Sequence, residues 1–97
     1  MLFAVLFTDG PEQGNLRAQN LDAHIRWVAD HRDVVLVAGS LRVQPNSVPR
    51  GALWIVEADS KLAVLDLVKS DPFYVCGLRN SVEILHWSKA FEEKVLV

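Results

Sequence analysis

The alternation of short apolar runs with helix-period patterns is the strongest constraint on this chain. Leu2–Phe7 is a continuous apolar run closed by Thr8-Asp9-Gly10-Pro11, and Val34-Val35-Leu36-Val37-Ala38 is a second, rich in β-branched residues and closed by Gly39-Ser40. Both are short and end in breakers, so both predict buried strands. Between them Leu21, His24, Ile25 and Val28 recur at i, i+3, i+4 and i+7. That is one face of a helix, predicted from near Leu16, with Asn15 as candidate N-cap, to about Asp30, and the face should turn to the core. The same order returns in the second half. Ala52–Glu57 predicts a third strand, and Leu62, Leu65 and Val68, with Ala63 and Val64 alongside, predict a second helix capped by Asp59 or Ser60. Phe73–Cys76 reads as a short irregular or extended piece, Gly77–Ser81 as a turn, Val82–Trp87 as a last strand and the remainder as a mixed tail.

This β-α-β-β-α-β order predicts an α+β, ferredoxin-like fold: one antiparallel four-stranded sheet with two helices on one face. The 97 residues make one domain, 1–97. The strands hold more apolar residues than one sheet face needs, so the uncovered face is expected to pair with a second copy, closing a dimeric α+β barrel. The polar stretch from Arg42 to Arg50, with Pro45 and Pro49, is long for a strand connection and is a candidate ligand-facing loop.

Composition excludes several classes. The net charge is only −2 and no Lys/Arg cluster is present, so no nucleic-acid partner is expected. The first apolar run is too short to span a membrane and lacks a basic leader, so neither a membrane segment nor a signal peptide is expected, and the location by default is cytoplasmic. The single cysteine, Cys76, excludes an internal disulfide and a cysteine-based zinc site. The three histidines lack ligand spacing and no Gly-rich phosphate loop occurs, so neither a metal nor a cofactor is expected.

What remains for chemistry is His24. A lone helical histidine is ordinarily a core residue bonded to a backbone carbonyl. Two features favour a functional role. Arg17 falls on nearly the same side of the helix, about 10.5 Å away along its axis. Asp71 sits just before Pro72, which biases it to an extended conformation at the end of the second helix. In this topology that helix packs beside the first. A carboxylate there could fix one imidazole nitrogen and leave the other free to move a proton. His31 reads as a surface helix end and His86 as an outward strand residue, while Trp27, Trp54 and Phe73 are either core or aromatic walls.

The ordered set of features resembles the YciI-like (YCII-related) proteins over essentially the whole length. The matching features are a first strand ending in Asp9, Arg17 and His24 on one helix, Val37-Ala38-Gly39-Ser40-Leu41, Gly51, Asp71-Pro72-Phe73, Gly77, Val82-Glu83-Ile84 and Trp87. The resemblance implies a dimeric α+β barrel with a His–Asp pair, His24 and Asp71, in a small-molecule pocket. One branch of that family removes chloride from chlorinated hydroxyhydroquinones, and the fold is similar to muconolactone isomerase. By the same resemblance Arg17 stabilises an oxyanion, Asp9 supports Arg17 and Pro72 orients the pair. A serine is expected after the glycine that opens strand three; here the pair is Gly51-Ala52, which leaves Ser40 or a backbone N–H to supply that donor. Two functions follow as expectations. The first is a cofactor-independent isomerase or dehydrochlorinase-like lyase acting on a phenolic or lactone-like substrate. The second is a non-catalytic dimeric module that binds a small ligand or serves as an accessory subunit.

Overall fold

A computed structural model describes residues 1–11 and 14–92. Its elements are β1 (Leu2–Asp9), α1 (Gly14–Asp30), β2 (Val35–Leu41), β3 (Gly51–Glu57), α2 (Lys61–Ser70), a single helical turn α3 (Pro72–Val75) and β4 (Arg79–His86). The strands form one sheet in the order β2-β3-β1-β4. Every neighbouring pair is antiparallel. β1 and β2 are therefore parallel with β3 between them, and β3 and β4 are parallel with β1 between them. Those are two interleaved split β-α-β units, the ferredoxin-like fold that the element order predicts.

The core lies between the sheet and the helices. Phe3, Val5 and Phe7 of β1, Ala52, Trp54 and Val56 of β3, Val35 of β2, and Val64 and Val68 of α2 form one buried cluster, with Trp27 of α1 packed against it. Side chains alternate along a strand, so the opposite sheet face carries Ala4, Leu6, Leu53, Ile55 and Leu85.

Several local features differ from the sequence reading, each for an identifiable reason. Asn15 lies inside α1 rather than capping it, and residues 12–13, where the cap would fall, lie outside the described residues, as do 93–97 of the expected tail. On α2 the buried positions are Val64 and Val68, while Leu62 is exposed. Ser60 is the N-cap there, accepting from Ala63 N–H at 3.1 Å, so the helix phase is set from that residue. Phe73–Val75 is helical, not extended, because Asp71 caps a new turn and Pro72 takes its first position. The larger difference concerns α1. Leu21 and Ile25 are 40% and 56% exposed. Their stripe faces β2 and β3 where Ala38, Gly39, Ser40 and Ala52 are too small to fill the intervening space, so a cavity of about 400 Å³ remains.

Gly51 and Gly77 have specific backbone roles. A Cβ on Gly51 would stand 1.8 Å from the Phe7 carbonyl oxygen, so only glycine lets β3 start this close to β1. Gly77 has φ 88° and ends α3. Its N–H donates to Tyr74 O (3.1 Å) and Leu78 N–H donates to Phe73 O (3.1 Å), the paired bonds of a Schellman cap.

Gly51→Ala is expected to destabilise the fold by about 3 kcal/mol, because backbone must move. Gly39→Ala, where a Cβ meets open space, should change stability by less than about 0.5 kcal/mol. Urea denaturation of the two variants measures the difference.

Candidate functional site

The site forms where α1, α3, the end of β1 and the start of β4 meet. Asp71 is the hinge of this arrangement. It is at once the C-cap of α2, its N–H donating to Val68 O, and the N-cap of α3, its side chain accepting from Phe73 N–H. The backbone at Asp71 is extended, with φ −68° and ψ 130°, as the following proline requires. These constraints aim the carboxylate at α1. Asp71 Oδ1 lies 2.7 Å from His24 Nδ1 and 3.2 Å from Phe73 N. With a carboxylate as acceptor, Nδ1 is the protonated nitrogen, which leaves Nε2 as the bare one. Asp71 is fully buried, whereas the His24 side chain keeps 14% exposure. The imidazole stacks on the Phe73 ring, centroids 4.0 Å apart and planes 10° from parallel. Carboxylate and ring together hold His24 in one plane, and the residue lines the cavity.

A second cluster stands beside the first. Asp9 Oδ2 accepts from Arg17 Nη2, and Asp9 Oδ1 accepts from Arg79 Nη1 at 2.8 Å. The Arg79 guanidinium also sits over the Phe7 ring at 4.4 Å and the Phe73 ring at 5.1 Å, and that of Arg17 lies 5.2 Å from Phe73. Such cation–π contacts compensate part of the desolvation of a buried guanidinium. Phe73 thus touches both clusters.

The expected site residues divide by position. His24, Arg17 and Ser40 line the cavity together with Arg79, Trp54, Phe73 and Ala52. Ser40 pairs with Ala52 across the β2–β3 ladder, and its Oγ accepts from Arg42 Nη2 at 2.8 Å. Asp9, Pro72 and Gly51 are not part of the lining. Asp9 lies behind the two arginines it binds, Pro72 begins α3 behind His24 and Asp71, and Gly51 closes against Phe7. Trp27 stands away from the cavity mouth, stacked between His31 and Trp54, with Nε1–H donating to Ser70 Oγ at 3.0 Å. His86 meets Phe3 in a tilted ring contact, centroids 4.7 Å apart and planes 43° from parallel, on the helix side of the sheet edge.

Arg79 is the residue that sequence reasoning missed. It lies in the stretch Gly77–Ser81 read as a turn, yet β4 begins there. The available signal is Gly77: a helix-terminating glycine turns the chain at Leu78, which is buried, and delivers the next residue to the sheet beside Asp9. Among the described residues no group of histidine, cysteine, aspartate and glutamate side chains could hold a metal, and no helix is long and apolar enough to cross a membrane.

The family model of the YCII-related domain matches residues 1–88. No curated protein matches the sequence. Among solved structures, the chain is similar to 5-chloro-2-hydroxyhydroquinone dehydrochlorinase from Burkholderia phenoliruptrix AC1100 in complex with 2,5-dihydroxybenzoquinone, with 26% identity over 91% of this chain and 94% of that one and a TM-score of 0.82. It is also similar in fold to a protein from Arabidopsis thaliana, with 10% identity over 96% and 98% of the two chains and a TM-score of 0.51.

Asp9→Ala strands the buried Arg79 guanidinium, whose side chain is 1% exposed. Removing one partner from a buried pair is costly, so the variant is expected to lose about 3–5 kcal/mol of stability, read by chemical denaturation. Asp9→Asn, which keeps an acceptor oxygen, should lose less.

Proposed function

The chain belongs to the YCII-related domain family, and on that premise we propose that it is a cofactor-independent enzyme in which His24, held by Asp71, moves a proton on a phenolic or lactone-like substrate. The observation that carries this reading is the 2.7 Å contact between His24 Nδ1 and the buried Asp71 carboxylate, in a ring already stacked on Phe73 at the cavity wall. An imidazole fixed in this tautomer offers Nε2 as general base. When Nε2 takes a proton from a hydroxyl or acidic C–H, positive charge develops on the ring beside the Asp71 carboxylate. Negative charge develops on the substrate oxygen, where the Arg17 guanidinium stabilises it.

The two reactions of this class share that first step. For a halogenated polyhydroxylated ring, loss of one hydroxyl proton lets the ring ketonise with a proton taken up at the chlorine-bearing carbon; loss of a second hydroxyl proton then expels chloride with its electron pair and leaves a quinone, a net loss of HCl. For an unsaturated lactone, the same base removes a proton from one carbon and its conjugate acid returns it to another. The similarity to a dehydrochlorinase supports the first, and the apolar lining by Leu21, Ile25, Trp54 and Phe73 suits either ring.

In the same reading two copies associate through the sheet face that the helices leave uncovered. Leu6 and Leu85 there are 37% and 41% exposed beside Leu53 and Ala4, an apolar surface that a second sheet would cover.

Ala52 favours a second reading, ligand binding without turnover. It lines the cavity with a methyl group where the resemblance leads one to expect a hydroxyl donor. A missing oxyanion donor can cost about 10²–10³ in rate.

A panel of chlorinated and unchlorinated hydroquinones and unsaturated lactones tests these readings. Turnover by the wild-type chain, with kcat/KM lowered about 10²–10⁴-fold in both His24→Ala and Asp71→Asn, is the expected result. Full turnover in His24→Ala contradicts His24 as the general base, and saturable binding with no turnover supports the module. For the assembly, Leu6→Arg is expected to convert a dimer to a monomer in sedimentation velocity, and an unchanged dimer contradicts the sheet-face arrangement.

A further inference from the structure

We infer that Arg79 sets the charge of the cavity: by taking one oxygen of Asp9 it leaves Arg17 only partly compensated, and this makes the cavity selective for anionic over neutral ring ligands. The inference rests on the reading of this cavity as a small-molecule site and adds the charge class of its ligand.

Among the described residues, the arginines that line the cavity are Arg17, Arg32 and Arg79, and the carboxylates bonded to the lining's arginines and histidine are Asp9 and Asp71. With neutral His24 the excess within this set is one positive charge, and removal of Arg79 cancels it. An Arg17–Asp9 pair alone would be neutral and would offer a ligand little net field. Adding a second guanidinium to the same carboxylate changes that, because each oxygen is then committed to a different arginine.

Burial decides which arginine meets the ligand. Arg79 is 1% exposed, Asp9 5% and Arg17 18%. Arg79 is packed over Phe7 and Phe73 and cannot turn to solvent to screen its charge. Arg17 is the outermost member, so the excess charge is expressed at the cavity through its guanidinium. Between aromatic walls such a charge interacts more strongly with a ligand than it would in water. Arg79 is therefore a positioning and charge-setting residue that acts through Asp9 and Arg17.

Benzoate and benzamide have nearly the same shape and differ in charge, which makes them suitable probes by NMR chemical-shift titration at neutral pH. The wild-type chain is expected to prefer benzoate by about tenfold. Arg79→Gln should lower benzoate affinity far more than benzamide affinity and so abolish that preference. Asp9→Asn added to Arg79→Gln should restore it, because the double variant regains the excess positive charge. Arg79→Lys should retain it, and remains informative if Arg79→Gln fails to fold. A benzoate preference that survives in folded Arg79→Gln, or that the double variant does not recover, overturns the charge assignment alone. A merely structural role for Arg79 would weaken both probes together and would not be rescued by Asp9→Asn. Wild-type chain that binds neither probe overturns the reading of the cavity itself, and the inference with it.

Discussion

A carboxylate with no exposure must be compensated where it stands, and the geometry of this molecule follows from how Asp71 is compensated. Its backbone closes α2 and opens α3 at the same residue, and its side chain holds Phe73 N–H and His24 Nδ1 through one oxygen. The other oxygen, Oδ2, has no hydrogen-bond partner among the described residues. The His24 contact is thus not one of several redundant bonds. It ties α1 to the α2–α3 corner beside the Trp27–Ser70 hydrogen bond, and Phe73 reinforces it by stacking on the imidazole. A polar contact of this kind costs stability if half of it is lost, which gives the fold a reason to keep α1 in one position over the sheet.

The cavity is the other side of the same arrangement. With α1 held by His24 at α3 and by Trp27 against Trp54, its Leu21–Val28 stripe is suspended over Ala38, Gly39, Ser40 and Ala52. Larger residues at those strand positions would fill the space and turn the stripe into core. The molecule instead leaves an apolar chamber with a histidine and three arginines at its wall. The Asp9 cluster joins the ends of β1 and β4 to α1, so the charged groups of the site also close the sheet at that end.

Much of this was legible in the sequence because it depends on local chemistry. Strand and helix periods predict the element order, and the order predicts the sheet. Arg17 and His24 share a helix face by spacing, and Asp-Pro predicts the extended backbone at Asp71. The remainder depends on tertiary placement. The periodicity of Leu21, His24, Ile25 and Val28 identifies a face but not whether the opposite surface is large enough to cover it. The signals for α3 were present, an N-cap aspartate and a proline at the first helical position, but a four-residue turn has no period to detect. Gly77 can signal that the strand begins near Arg79, but nothing about an arginine near a turn reveals a partner at residue 9 until β1 and β4 are paired.

In the proposed mechanism Asp71 fixes His24 in the tautomer that leaves Nε2 free at the cavity. Nitrogen-15 NMR of the imidazole side chains reports that directly at neutral pH. The expected result is a His24 ring with its proton on Nδ1 and Nε2 showing the shift of an unprotonated nitrogen, a preference that Asp71→Asn removes. A His24 ring protonated on Nε2 with Nδ1 bare, or a tautomer unchanged in Asp71→Asn, would contradict it.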